Sequence, residues 1–208
     1  MNPLLELFPE SVWIDGKEYA IRSGFRTVLK INNIVGEEKK RLSSEEVEEM
    51  LLLFYPIVPE NIPEAIQKLL EFLECGKENG KKKVFPKKAA GLNGKKGMDL
   101  DTDAQEIYAA FYQQYGIDLS EDMHWWKFNI LLGCLSPDTH LAKIIEFRTI
   151  DTKNKNLSKE ERKYYEAMQR YYALSENLEM DEKARAIEDA LMRGEDISNL
   201  LEGYGEKD

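Results

Sequence analysis

The chain has 208 residues, of which 42% are apolar and 10% aromatic, enough for one sizeable core or two small ones, and its formal net charge is −10. Only Cys75 and Cys134 are present and the longest apolar run, Met50 to Tyr55, is six residues, which excludes a disulfide-stapled scaffold and a helical membrane span. The negative charge disfavours nucleic acid as a partner, although it is uneven: between Gly76 and Met98 eight lysines stand against one glutamate, a net +7 that leaves −17 on the rest.

Met1 to Phe8 lacks the basic and long apolar regions of a secretory signal, and two thiols without paired spacing fit a reducing compartment, so a cytoplasmic location is expected. Val12-Trp13-Ile14 and Lys17 to Ile21 flank Asp15-Gly16, a dipeptide that tolerates the positive φ angles of a tight hairpin turn. Ser23 then stands where it could cap a helix through Val35 that turns Phe25, Val28, Leu29 and Ile31 or Asn32 inward and ends at Gly36. The next helix spans Ser44 to Phe54, with Ser44 as cap and an acidic first turn, and Pro56 and Pro59 stop it. A third starts at Asn61 with Pro63 in its first turn and is expected to bury Ile62, Ala65, Ile66, Leu69, Leu70, Phe72 and Leu73.

Residues 76–99 hold five glycines, a proline and the lysine cluster without apolar periodicity, and are read as a mobile linker. The expected organisation is therefore 1–75, a hairpin plus helices; 76–99, the linker; and 100–208, a helical domain. The fold class is mainly α, a short N-terminal β-hairpin followed by a multi-helix bundle in two parts. Beyond the linker, Ala104, Ile107, Tyr108, Phe111, Tyr112 and Tyr115 form one apolar stripe ending at Gly116. From Asp122 to Leu135 apolar residues occur all round the wheel, which predicts a buried helix with Cys134 an inert thiol inside it. Ser136-Pro137-Asp138 opens a helix to Ile150 with Leu141, Ile144, Ile145 and Phe147 inward. Ser158 to Glu161 is a capping box for a helix carrying Tyr164, Tyr165, Met168, Tyr171 and Tyr172. Short acidic helices over Asp181 to Arg193 and Ile197 to Leu201 complete the chain.

No pattern along the sequence supplies a catalytic constellation, a cofactor or a metal. Ala89 to Lys96 approaches a phosphate-binding loop, but Ala89 replaces the first glycine and Lys96 the magnesium-binding hydroxyl. Asp99 to Asp103 begins like a calcium loop, yet Ala104 and Ala110 stand at the turn-glycine and bidentate-glutamate positions, so helix capping by Asp101 or Thr102 is the simpler role. His124 and His140 have no neighbouring cysteine pair at zinc spacing. Lys81 to Lys88 could attract phosphate backbones only weakly and in a salt-sensitive way. The chain is read as a protein that binds other proteins, with no enzymatic activity.

His124-Trp125-Trp126-Lys127-Phe128, the following Leu131 to Leu135, Leu141 to Ile145, and Phe147-Arg148-Thr149-Ile150-Asp151 resemble the bacteriophage gene-product-fifteen family of tailed phages and prophages of Gram-positive bacteria. Asp103 with Ile107 to Phe111, Tyr115 to Leu119, and the Asp15-Gly16-Lys17 hairpin leading to Phe25-Arg26 extend the resemblance over about residues 10 to 170. It implies a role in building long non-contractile tails as a tail assembly chaperone in the host cell cytoplasm. The implied partners are the tape-measure protein and other tail proteins, with self-association left open, no membrane and no cofactor. It carries no catalytic residues. Two other readings are a structural tail or connector component retained in the virion, and a regulator contacting nucleic acid through the lysines. The tyrosines Tyr164, Tyr165, Tyr171 and Tyr172 are the candidate partner-binding residues. Trp125, Trp126, Phe128 and Arg148 are expected to be core, with Arg148 paired to a carboxylate.

Overall fold

A computed structural model describes residues 2–36, 41–76 and 92–193. Among these residues the chain is mainly α-helical: β1 (Ser11–Ile14) and β2 (Lys17–Ala20) are followed by α1 (Phe25–Val35), α2 (Ser44–Phe54), α3 (Ile62–Leu73), α4 (Ala104–Tyr115), α5 (Trp125–Gly133), α6 (His140–Thr149), α7 (Lys159–Tyr171) and α8 (Ser175–Arg193). The expected helix over Ile197 to Leu201, the Lys81 to Lys88 cluster and residues 89–91 of the phosphate-loop-like segment lie outside the described residues. The chain forms two compact units that do not follow chain order: 1–84 with 107–139, and 85–106 with 140–208.

In the first unit β1 and β2 pair antiparallel, Val12 opposite Tyr19 and Ile14 opposite Lys17. Asp15 and Gly16 both take positive φ, 47° and 73°, as a two-residue turn matched to strand twist requires. The turn is anchored on α3, where the Asn61 side-chain amide donates to the Asp15 carboxylate at 3.0 Å. Asn61 also caps α3, accepting from the Glu64 amide, with Pro63 in the first turn where no amide is needed.

Ser23 does not cap α1. The helix starts one residue later behind Gly24, without a side-chain cap. The reason is a backbone pairing made before the helix begins: the Phe25 amide donates to Met123 at 2.8 Å and the Trp125 amide to Ser23 at 2.7 Å, so the chain is extended at Ser23 and Gly24. At α2 the cap is Ser43 and not Ser44, since only Ser43 has Glu46 at the third helical position to close a capping box. The last carbonyls of α2, which has no basic residue of its own there, are met by Arg22, whose Nη1 donates to Leu52, Leu53 and Tyr55 at 2.7, 3.1 and 3.2 Å.

The core of this unit is aromatic. Phe128 stacks between Phe25 at 4.8 Å and Phe111 at 5.2 Å, and Phe72 joins Phe54 at 5.2 Å to Trp126 at 5.6 Å. Tyr55 is buried and donates its hydroxyl to the Ala65 carbonyl at 2.9 Å; burial, followed by the Glu64 charge, raises its pKa. Three expectations are corrected here. Ile62 and Leu70 are exposed, and the buried face of α3 is narrower, Ala65, Leu69 and Phe72. The inward face of α4 is Ile107, Ala110 and Phe111, while Tyr108 and Tyr112 point outward; Ala110 lets the helix approach closely, and the Tyr108 hydroxyl reaches Asp118 at 2.7 Å instead. Helix α5 is not buried all round, because it is only nine residues long and ends before Cys134, which is an exposed C-cap residue.

In the second unit Leu92 to Asp99, the described part of the expected linker, lies along α6. The Asn93 amide donates to Thr149 at 2.7 Å, and its side chain donates to the carbonyls of Arg148 and Ile150, meeting orphan acceptors at the end of that helix. These residues lack apolar periodicity because they bind a helix end through backbone and amide groups. Helix α7 opens with the expected capping box, Ser158 with Glu161. The carboxylates of Asp99 to Asp103 serve the backbone and two cations. Asp99, not Asp101 or Thr102, accepts the turn amides, from Asp101 at 3.1 Å and Thr102 at 2.7 Å, and pairs with Lys96 at 2.9 Å. The Thr102 amide first, and Lys96 after it, hold the Asp99 carboxyl down at about 2.

Candidate partner-binding surfaces and the tryptophan–arginine signature

Trp125 and Trp126 are buried in the first unit, and the polar edge of each has one task. Helix α3 closes in a tight turn in which the Glu74, Gly76 and Cys75 amides donate to the Leu70, Glu71 and Phe72 carbonyls, leaving room for further donors at its last carbonyls. Trp126 Nε1 donates to the Phe72 carbonyl at 2.8 Å and Trp125 Nε1 to the Leu73 carbonyl at 3.1 Å. Two indoles in sequence thus cap the last turn of a helix more than fifty residues earlier, while their rings fill the aromatic core. Gly76 completes the arrangement: its φ is +62°, and a Cβ there would stand 2.9 Å from the Trp126 ring, so a left-handed turn and close ring approach both require glycine.

His124 holds the start of α5. Its Nδ1 accepts the Trp126 amide at 3.0 Å, which leaves the proton on Nε2 to donate to the Pro9 carbonyl at 2.9 Å. Phe8 stacks on the ring at 5.0 Å. Protonation of Nδ1 would remove the cap, and burial of the ring holds its pKa below the ordinary 6.5, against the smaller opposing effects of Pro9 and Glu10. The unfolded chain therefore takes up this proton first. The contribution to stability is complete above the unfolded value and is lost as pH falls through the lower folded value. Thermal melts between pH 7.5 and 5 should show a stability decline starting near neutrality that is flattened in His124→Gln; an equal decline in both would remove His124 as the cause.

Arg148 sits in the second unit, where it is buried and fully engaged. Nη1 and Nη2 grip the Asp103 carboxylate at 2.6 and 2.8 Å, Nε donates to the Tyr172 carbonyl at 2.5 Å, and Nη1 also donates to Gly97 at 3.1 Å. Asp103 Oδ2 in turn accepts the Asp99 amide at 2.9 Å. The expected carboxylate partner is Asp103, and the guanidinium ties three segments of this unit together by bidentate geometry that lysine could not reproduce. The structure thus groups Trp125, Trp126 and Phe128, and places Arg148 in a different unit.

The four candidate tyrosines are divided by the helix. Tyr172 stacks on Phe147 at 5.8 Å and Tyr165 packs beside the same ring at 6.3 Å; both are half-buried, and burial, before the charges of Glu146 and Glu161, raises the Tyr165 pKa. Tyr164, 52% exposed, touches Phe147 only with an edge, and Tyr171 is 78% exposed. Tyr165 and Tyr172 are the inner layer and Tyr164 and Tyr171 the outer one. A second apolar surface was not read from the sequence: a groove of about 600 Å³ lined by Val47, Leu51, Leu52, Val58 and Ile62, with Glu48 at its wall. It depends on how the turn after α2 folds back, which no periodicity reveals.

Among the described residues no helix is long and apolar enough to cross a membrane, and no cluster of histidine, cysteine and carboxylate groups has the arrangement of a metal site. No curated protein and no solved structure matches the chain. A family model described as Bacteriophage Gp15 protein matches residues 4–174, a span that holds the hairpin, the tryptophan cap and the Arg148–Asp103 pair. The chain belongs to the Bacteriophage Gp15 protein family, and it is a phage protein.

Proposed function

We propose that the chain acts in phage tail morphogenesis as an assembly chaperone that binds the tape-measure protein in the host cytoplasm and catalyses no reaction. The observation that carries this reading is the outer tyrosine layer of α7, which leaves Tyr164 and Tyr171 exposed on a chain of net charge −10. Exposed tyrosines are efficient anchors for apolar partner surfaces, and excess negative charge keeps such a complex dispersed. A tape-measure protein is a long helical chain whose apolar stripes need cover before the tail tube forms around it.

Tyr171→Glu is the informative variant, because Tyr165 and Tyr172 support α6 and their loss would disturb packing as well. It should leave the melting temperature nearly unchanged, within the roughly ±0.5 kcal/mol usual for exposed sites, and weaken tape-measure binding roughly tenfold or more. Co-expression with the tape-measure protein, scored by its soluble yield and by co-purification, measures both. Unchanged yield with and without the chain would refute the chaperone reading. Recovery of the chain in purified particles would assign it instead to the finished tail or connector.

A further inference from the structure

The groove of the first unit has a composition that specifies its occupant. Its floor is aliphatic, Val47, Leu51, Leu52, Val58 and Ile62, and three side chains around it are well exposed: Leu52 at 57%, Ile57 at 75% and Ile62 at 39%. Scattered exposed aliphatics are ordinary; a concave group of them is not. Its volume of about 600 Å³ would accept several aliphatic side chains at once.

The charge around this floor is mainly negative. From Arg41 to Lys68 the sequence carries six glutamates against Arg41 and Lys68, and Lys68 is paired with Glu71 at 3.0 Å. Glu48 lines the groove, and Glu45, Glu49 and Glu60 are exposed beside it along α2 and in the turn before α3. None of these four makes an ion pair with a described residue. Arg22, which reaches the end of α2, spends its Nη1 on three main-chain carbonyls there. An aliphatic floor inside a mainly acidic margin complements a helix with leucine-like residues at i, i+3, i+4 and i+7 and lysine or arginine on its flanks.

We propose that the α2–α3 groove is a docking site for a basic amphipathic helix of a partner protein. Under the assembly-chaperone reading this helix belongs to the cargo, and the proposal rests on that reading for the identity of the partner alone. The aliphatic floor supplies affinity, and the glutamates select basic over acidic helices.

The probe is a fluorescein-labelled 14-residue peptide of leucine and lysine in amphipathic order, titrated with the full chain and followed by anisotropy. Two controls are the same peptide with glutamate for lysine and a scrambled peptide that keeps the charge but loses the stripe. Saturable binding is expected for the first peptide alone, weakening with added salt. Leu52→Asp and Glu48→Lys, each checked for an unchanged circular dichroism spectrum and melting temperature, should each raise Kd roughly tenfold or more. Equal binding of the acidic or scrambled peptide, or of the probe by both folded variants, would overturn the proposal. Concentration-dependent self-association abolished by Leu52→Asp would overturn it in favour of a second copy of the chain. Tighter probe binding after replacement of Lys81, Lys82, Lys83, Lys87 and Lys88 by alanine would overturn it in favour of the chain's own lysines. The tape-measure assay separates the two ideas: soluble yield maintained by Leu52→Asp but lost in Tyr171→Glu leaves the chaperone role standing without the groove.

Discussion

Trp126→Ala should lower the stability of the chain by about 3–5 kcal/mol, the usual cost of truncating a large buried aromatic. Against a total of roughly 5–15 kcal/mol for a domain, that change alone brings the first unit close to unfolding at 37 °C. Two separable losses contribute. The ring leaves a cavity beside Phe72, Phe8 and Gly76, and the Phe72 carbonyl at the end of α3 loses the donor that reached it at 2.8 Å. Trp126→Phe separates them, because it keeps most of the ring and removes only the N–H; the Phe72 carbonyl keeps the Cys75 amide at 3.0 Å, so the loss is one hydrogen bond, about 0.5–1.5 kcal/mol. Urea denaturation of the three proteins measures the series. Should Trp126→Ala cost less than about 1 kcal/mol, the indole would not be the cap and filler described above. Any loss of tail assembly in Trp126→Ala would then follow from unfolding, which the same denaturation curves report, and not from a broken partner contact.

The parts of this fold that depend on local chemistry could be read along the chain. Asp15-Gly16 demanded a turn with two positive φ angles and produced one. Ser158 with Glu161 announced the start of α7, and Pro63 behind Asn61 the start of α3. Where a long-range contact competed with the local rule, the reading failed. Ser23 is a good cap residue by type, but its carbonyl receives the Trp125 amide from a segment about a hundred residues away. Tyr108 and Tyr112 matched a helical stripe, yet Ala110 and Asp118 decided which side of α4 faced inward. The burial of Trp125, Trp126 and Phe128 was expected from their bulk. Their indole bonds to the end of α3 were not, since nothing in a Trp-Trp pair says which carbonyls it will meet. Among the four tyrosines, spacing pairs Tyr164 with Tyr171 and Tyr165 with Tyr172 on faces about 100° apart, but which face is inner depends on the position of Phe147.

Breaking the Arg148–Asp103 pair from either side should cost about as much as Trp126→Ala, but for an electrostatic reason. Both side chains are almost fully buried, at 5% and 3% exposure. Arg148→Met leaves the Asp103 carboxylate out of water with the Asp99 amide as its remaining donor, and Asp103→Leu leaves a buried guanidinium with only the Tyr172 and Gly97 carbonyls. Removing one partner of a buried pair typically costs about 3–5 kcal/mol. The double variant Arg148→Met with Asp103→Leu removes both charges, and buried pairs replaced by apolar groups of similar volume are often close to neutral. Full recovery is nevertheless not expected, because the Tyr172 and Gly97 carbonyls lose their donors in the double variant and each costs about 1–3 kcal/mol. The cycle should therefore be strongly non-additive, with the double variant less destabilised than the sum of the singles by roughly 3 kcal/mol or more, read from urea midpoints of the four proteins. Arg148→Lys should fall nearer to Arg148→Met than to the native chain, since an ammonium cannot fork across both carboxylate oxygens and still reach the Tyr172 and Gly97 carbonyls. Additive single effects, or a lysine variant as stable as the native protein, would mean that Arg148 contributes bulk and not the forked bond, and the coupling assigned to it would have to be withdrawn.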